Sequence, residues 1–200
     1  AVWIVLIINA FNFLDNMDGA AAGIAVIASS ILFTAAAISG QVFVGGLAVV
    51  FTGTLLGFLV FNFPPAKIFA GDAGSLVIGF FLALLSIRTT YYHQAQSGQW
   101  YPVFTPLIVM AVPLYDFISV TALRIKQGKS PFVGDTQHFS HRLKKRGLTD
   151  TQTVLFLYLA TLCTGLGATF LYQVNLAGAF LIFIQTFMIL AIIAILETTV

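Results

Sequence analysis

VFVGGLAVVFTGTLLGFLVF, residues 42–61, runs for twenty residues without a charged side chain. A helix crossing the hydrocarbon core of a bilayer needs about 20 predominantly apolar residues, and this stretch supplies them. On its N-terminal side Gly40-Gln41 makes a tight connection to a second run at 20–39. On its C-terminal side Pro64-Pro65 ends the helix, because proline has no N–H to donate and clashes with the preceding turn. Further apolar runs follow at 75–91, 102–125, 153–173 and 177–196, and residues 1–14 read as the end of one more. The whole chain is 59% hydrophobic and 8% charged, with a mean hydropathy of +0.99. A water-exposed domain carries about a quarter charged residues, so this composition excludes a soluble fold. The expected class is all-α, a polytopic transmembrane helix bundle of six complete spans plus the end of another, forming one membrane domain over residues 1–200. The chain opens on Ala1-Val2-Trp3-Ile4, already apolar, with no basic region or small-residue cleavage site ahead of it. The expectation is therefore an N-terminally truncated chain, the C-terminal part of a longer multi-span protein.

Alternation of spans puts residues 9–19, 62–74 and 126–152 on one side of the membrane. Lys67, Lys126, Lys129, Arg142, Lys144, Lys145 and Arg146 lie there, Arg124 leads into it, and only Arg88 lies toward the other side. Lys and Arg concentrate in cytoplasmic loops, so the crowded side is expected to face the cytoplasm across the plasma membrane. Six of the seven acids (Asp15, Asp18, Asp72, Asp116, Asp135 and Asp150) also lie at or near it. Trp100 and Tyr101, after the polar loop on the opposite side, suit an interfacial aromatic belt. Gly53 and Gly57 have the spacing of a close helix contact, expected inside the bundle rather than at a dimer interface.

Three segments carry the polar chemistry. Asn9, Asn12, Asp15, Asn16 and Asp18 crowd ten residues at the end of the first apolar run, with the three asparagines at i, i+3 and i+7, one helix face. Polar groups beside a membrane interior are costly unless paired or functional, and an oxygen-rich set suits a hard cation; a capped, solvated helix end is the blander reading. In the second segment, Asp72 stands where a helix begins after Phe69-Ala70-Gly71. It serves as an anion- or metal-site residue or simply as an N-cap, and the residues leave both open. The third holds Asp116 inside an apolar run, Arg124 about two turns on, and the basic stretch His138-Phe139-Ser140-His141-Arg142. Such a loop binds phosphate or only marks topology and anionic lipid contact.

In this order the segments resemble the polyprenyl-phosphate N-acetylhexosamine-1-phosphate transferases, which include the undecaprenyl-phosphate GlcNAc-1-phosphate transferases and the phospho-MurNAc-pentapeptide translocases. The resemblance rests on Asn9-x-x-Asn12-x-x-Asp15-x-x-Asp18-Gly19, on Phe61-Asn62 through Gly71-Asp72-x-Gly74-Ser75, and on the late His-containing loop. Pro113-x-x-Asp116, Arg124 and Gly128-x-Ser130-Pro131-Phe132 look like the GlcNAc-1-phosphate branch. By resemblance, Asn12 and Asp72 hold Mg²⁺, with Mn²⁺ as a substitute, and Asp15 is an acid of the active centre. Asp18 contacts uracil and Phe69 stacks on it. His138, His141 and Arg142 meet the sugar and phosphates; Asn9, Lys67 and Asp116 complete the substrate-binding set. Two positions depart from the family pattern: Asn16 replaces a common Gly, and Ser140 replaces a His. The family's aspartate-rich motif on an earlier loop has no counterpart here and is expected upstream of residue 1.

The function expected from the resemblance is Mg²⁺-dependent transfer of GlcNAc-1-phosphate from a UDP-sugar to undecaprenyl phosphate, releasing UMP, at the start of envelope polysaccharide synthesis. The expected partners are the UDP-sugar and a polyprenyl phosphate in the bilayer, with no nucleic acid and with a homodimer left open. The rivals are transfer of phospho-MurNAc-pentapeptide, an inactive binding relative, and a transporter, which the charge-poor distal side disfavours.

Overall fold

The computed structural model describes residues 1–91, 99–128, 130 and 139–198. All regular structure among them is helical: α1 (Val2–Leu14), α2 (Ala20–Ile38), α3 (Val42–Asn62), α4 (Gly71–Arg88), a single 3₁₀ turn (Tyr101–Phe104), α5 (Thr105–Val109), α6 (Ala111–Lys126), α7 (Phe139–Lys145), α8 (Asp150–Thr169) and α9 (Leu176–Thr198). Five of these, α2, α3, α4, α8 and α9, are long and apolar enough to cross a membrane. The expected bundle is therefore present, with one local difference.

That difference is the run 102–125, read as one straight span. It is broken at Met110, and the helices on either side meet at 66°. Pro113 accounts for the break. Its missing N–H is the one that would have bonded to the carbonyl of Val109, and its ring crowds that carbonyl. The ladder closes below the break through Met110 N to Pro106 O and resumes above it through Leu114 N to Met110 O, both 3.0 Å. Counted as one bent span, the pair brings the total to six.

α2 lies at the centre, packed by α3, α8 and α4. Its sequence explains this: Ala20, Ala21, Ala22, Ala25, Ala28 and Ala36 are all buried, and small residues let neighbouring backbones come close where no hydrophobic effect drives helices together. α1 packs on α4 and α6. At Gly79 of α4 an added Cβ would sit 2.7 Å from Ile8 Cα and 2.9 Å from Ile7 O, so this helix pair touches backbone to backbone. α3 and α9 expose rows of Val, Leu, Ile and Phe outward, as lipid-facing helices do. Gly53 and Gly57 lie on that outer face of α3 with no atom within 4 Å of an added Cβ; they do not pack inside the bundle as their spacing predicts. On the distal side Trp100 is exposed but Tyr101 is buried, its hydroxyl donating to the carbonyl of Val174. Tyr101 is thus a tie to the α8–α9 turn, not part of an exposed belt. α8 opens with a reciprocal capping box, Gln152 N to Thr149 Oγ1 and Thr149 N to Gln152 Oε1.

Candidate functional site

The three polar segments converge at one end of the bundle. α1 stops at Leu14, and the chain turns through Asp15–Asp18 into α2 at Gly19. Gly19 has φ +74°, a left-handed conformation that only glycine adopts cheaply. Its N–H donates to Asn62 Oδ1 at 3.1 Å, and its carbonyl accepts from the Tyr158 hydroxyl at 2.6 Å. Asn62, buried at the end of α3, donates in turn to Ile68 O at 2.9 Å. Asp18 Oδ2 accepts the backbone N–H of Ala66 at 2.9 Å. Asn62 and Asp18 therefore pin the 63–70 loop against the end of α1.

The pinning brings the acids together. Asn12 Nδ2 donates to Asp72 Oδ1 at 3.3 Å and to Ser75 Oγ at 3.0 Å. Asp72 sits in the first turn of α4, whose N-cap is Ala70 with no side-chain cap, so Asp72 is not the capping residue. Its charge suits the positive end of the helix and is felt at Asp15. Burial, and after it the negative charge of Asp72, pushes the Asp15 carboxyl up from 3.8 to about 6. Asp15, Asn16, Asp18, Asn62, Phe69 and Gly71 line an open pocket of about 280 Å³ beside these groups. Phe69 is 74% exposed, so its ring is a free aromatic face at the pocket rather than the core packing its residue type alone suggests.

The asparagine stripe does not persist. Asn16 lies beyond the helix, and Asn12 turns to α4. Asn9 donates to Val5 O at 2.7 Å and lines a separate apolar groove of about 530 Å³ between α1 and α6, with Val2, Leu6, Phe13 and Phe117. Asp116 and Arg124 are both buried in α6; the Arg124 guanidinium stacks on Phe13, 4.9 Å from the ring centre. Neither lines the pocket. Lys67 is exposed on the 63–70 loop and does not line it either. His138 lies outside the described residues, and His141 is placed only by its position in α7.

α7 brings the third segment to the pocket wall: buried Ser140 donates its hydroxyl to Asn16 Oδ1. Arg142 turns the other way and meets Glu197 near the end of α9, with Nη2 to Oε2 at 2.8 Å. Glu197 is missed by a reading that follows only the loops, although the alternation of spans does put the end of α9 on the shared side. Tyr115 and Ser119 of α6 join it.

The oxygens of Asn12, Asp15 and Asp72 are the donors a hard cation takes. Among the described residues no three of His, Cys, Asp and Glu cluster as a ready metal cage. Mg²⁺ fits such a place, since it is commonly bound through one or two carboxylates plus substrate phosphates and keeps several waters. Residues 1–90, which carry this centre, match the family model "Glycosyl transferase family 4". The chain belongs to that family. Across 184 residues, 92% of this chain and 50% of the relative, it is 36% identical to the probable undecaprenyl-phosphate N-acetylglucosaminyl 1-phosphate transferase of Bacillus subtilis. It is 33% identical over 192 residues to the decaprenyl-phosphate N-acetylglucosaminephosphotransferase of Mycobacterium leprae, covering 88% of this chain and 48% of that one. It is 30% identical over 198 residues to the undecaprenyl-phosphate alpha-N-acetylglucosaminyl 1-phosphate transferase of Yersinia pestis, 96% of this chain and 50% of the relative. The chain thus spans about half the length of the curated relatives it matches.

Proposed function

We propose that the protein to which this family 4 chain belongs transfers GlcNAc-1-phosphate from UDP-GlcNAc to a polyprenyl phosphate, with UMP as the leaving product, at the cytoplasmic side of the plasma membrane. The observation that carries the proposal is the meeting of Asn12, Asp15 and Asp72 beside a pocket lined by Asp18 and the exposed Phe69. The names of the relatives support the sugar and the lipid class; they differ in acceptor, undecaprenyl or decaprenyl phosphate. The cytoplasmic side is supported by Lys67, Lys126, Arg142, Lys144 and Arg146 at the pocket end of the bundle, against Arg88 at the other.

In this reading Phe69 offers its ring to the uracil and Asp18 accepts from the base. Asn12 and Asp72 would hold Mg²⁺, which would supply charge neutralisation of the diphosphate and Lewis acidity. Asp15 lines the pocket beside them, its carboxyl pushed up by burial and by the charge of Asp72. It takes the proton of the acceptor phosphate at a carboxylate oxygen. The acceptor oxygen then forms a bond to the sugar-bearing phosphorus while the bond from that phosphorus to the UMP oxygen breaks. The α7 segment closes the pocket from the side of Asn16.

The test uses membranes expressing the full parent protein, with Mg²⁺, undecaprenyl phosphate and UDP-GlcNAc labelled in the sugar. Label should pass into the organic phase in step with UMP release, and EDTA should stop both. Asp72→Asn should abolish both in protein that still inserts and folds, whereas near-normal turnover would leave Asp72 only a structural part. If well-expressed protein transfers nothing from UDP-GlcNAc or from other UDP-sugars, the transferase reading fails.

A further inference from the structure

α7 is only seven residues long, far short of the length at which a helix holds itself together in isolation. Its orientation must come from what it touches. On the pocket side the contact is Ser140 to Asn16, with Leu143 buried beside it. Lys144 pairs with Asp150 at the start of α8, and on the far side the contacts to α6 and α9 meet at one glutamate. Glu197, 6% exposed, accepts from Arg142 Nε at 3.1 Å and Nη2 at 2.8 Å on Oε2, and from the Tyr115 hydroxyl at 2.6 Å on Oε1. The backbone carbonyl of Glu197 accepts from Arg146 Nη2 at 3.0 Å. Arg142 Nη2 also donates to Ser119 Oγ at 3.0 Å. Tyr115 and Ser119 are one turn apart on α6, so a single glutamate joins α6, α7 and α9.

We infer that Glu197 is a positioning residue for the basic segment, and that Arg142 serves as the tether through which it acts rather than as a phosphate ligand. The guanidinium is engaged on two of its nitrogens by a nearly buried carboxylate, a charge-assisted pairing that fixes direction as well as position. Its charge is neutralised where it stands. The residue that resemblance assigns to the sugar and phosphates is thereby turned away from the pocket, toward the last turn of α9. Glu197 thereby sets how α7 sits against α6 and α9. The consequence for catalysis rests on the proposed transferase function; the docking itself does not.

The experiment uses the full parent protein in native membranes, with Leu143→Cys as its only cysteine (Cys163→Ser included). A membrane-impermeant maleimide should label the buried thiol slowly. Glu197→Gln keeps an acceptor for Tyr115 but removes the charge, and should speed labelling about tenfold or more. Glu197→Asp should recover part of the protection, and the exchange of Glu197→Arg with Arg142→Glu should recover more than either reversal alone. Unchanged labelling in Glu197→Gln overturns the inference, and so does an exchange no better protected than the single reversals. In the activity arm, Arg142→Ala in a Glu197→Ala background should cost almost nothing further in kcat/KM. A full additional loss there would mean that Arg142 acts on substrate directly, and would overturn its tether role. Labelling is read without turnover, so a protein that transfers no sugar would sink the proposed function and leave the docking result to stand or fall by itself.

Discussion

Ser140 donates its hydroxyl to the side-chain oxygen of Asn16, a contact between residues 124 apart in sequence. These are the two positions that the sequence reading sets apart from the pattern of the family the chain resembles. Asn16 supplies the acceptor for a hydroxyl that is buried. Losing either partner should cost about 1 kcal/mol, the usual net worth of a hydrogen bond. Asn16→Ala and Ser140→Ala should therefore each lower the thermal unfolding midpoint of the purified protein, and the double variant should fall little further than the worse single. Additive losses would mean that the two side chains do not depend on each other.

The Asp15 carboxyl gives a pH dependence with a definite sign. Its folded-state value is about 6 against 3.8 for the free group, so between those values the folded chain holds more protons than the unfolded one. The contribution of Asp15 to stability therefore falls as pH rises from about 4 to about 6 and stays flat above. A bound divalent cation competes with the same proton. Mn²⁺ affinity, followed by electron paramagnetic resonance, should accordingly weaken as pH drops below about 6. Burial is the larger cause of the shift and Asp72 the smaller. Asp72→Asn should then lower the midpoint of the infrared carboxyl band that Asp15→Asn removes, without returning it to 3.8. A midpoint already near 3.8 in the parent would dispose of the raised carboxyl.

The bundle was legible because lipid imposes one rule on the whole chain: a span is long and apolar, and its ends alternate sides. All six apolar runs reappear as helices within a few residues of their limits. The bend at Met110 was legible in principle, since Pro113 removes the donor that Val109 needs, but an apolar average over 102–125 conceals it. The site was legible as three segments on one side, and Asp72 found its neighbours in Asn12 and Asp15. Side-chain direction was not legible. Asn9 and Asn12 share a face by spacing, yet Asn12 reaches α4 while Asn9 donates to Val5 O of its own helix, and Arg142 is drawn to Glu197 on α9. Gly53 and Gly57 match a packing motif but face outward, because spacing alone does not say which side of a helix meets a neighbour.

Gly19 should tolerate no side chain. At φ +74° an L residue is strained, and a Cβ would lie 3.1 Å from the Tyr158 hydroxyl and 3.2 Å from Pro64 Cδ. Gly19→Ala should cost about 1–3 kcal/mol, read as a lower unfolding midpoint. Tyr158→Phe alone should cost about 1 kcal/mol through the lost hydrogen bond to Gly19 O. It removes the nearer clash, so the double variant should lose less than the sum of the singles. A sum or more would mean that backbone strain at Gly19 is the whole effect.

Gly79 is where a substitution far from the pocket should reach it. The residue lies two turns along α4 from Asp72 and is buried against the backbone of α1 at Ile7 and Ile8. A methyl group there meets Ile8 Cα at 2.7 Å, and that atom cannot rotate aside as a flexible side chain would. Gly79→Ala must therefore push α4 away from α1. The helices carry opposite halves of the proposed cation site, Asn12 on α1 and Asp72 with Ser75 on α4, bridged by bonds of 3.3 and 3.0 Å. Separating them by even part of an ångström should break these bonds and misplace the carboxylate. A 1 Å error in a reacting geometry can cost about a hundredfold in rate. Gly79→Ala should thus lower turnover by one to two orders of magnitude and raise the divalent-cation concentration needed for half-maximal rate. Gly46 makes the control, since nothing lies within 4 Å of its added Cβ and Gly46→Ala should leave both quantities alone. Equal effects from the two alanines would mean that the α1–α4 contact does not govern the site.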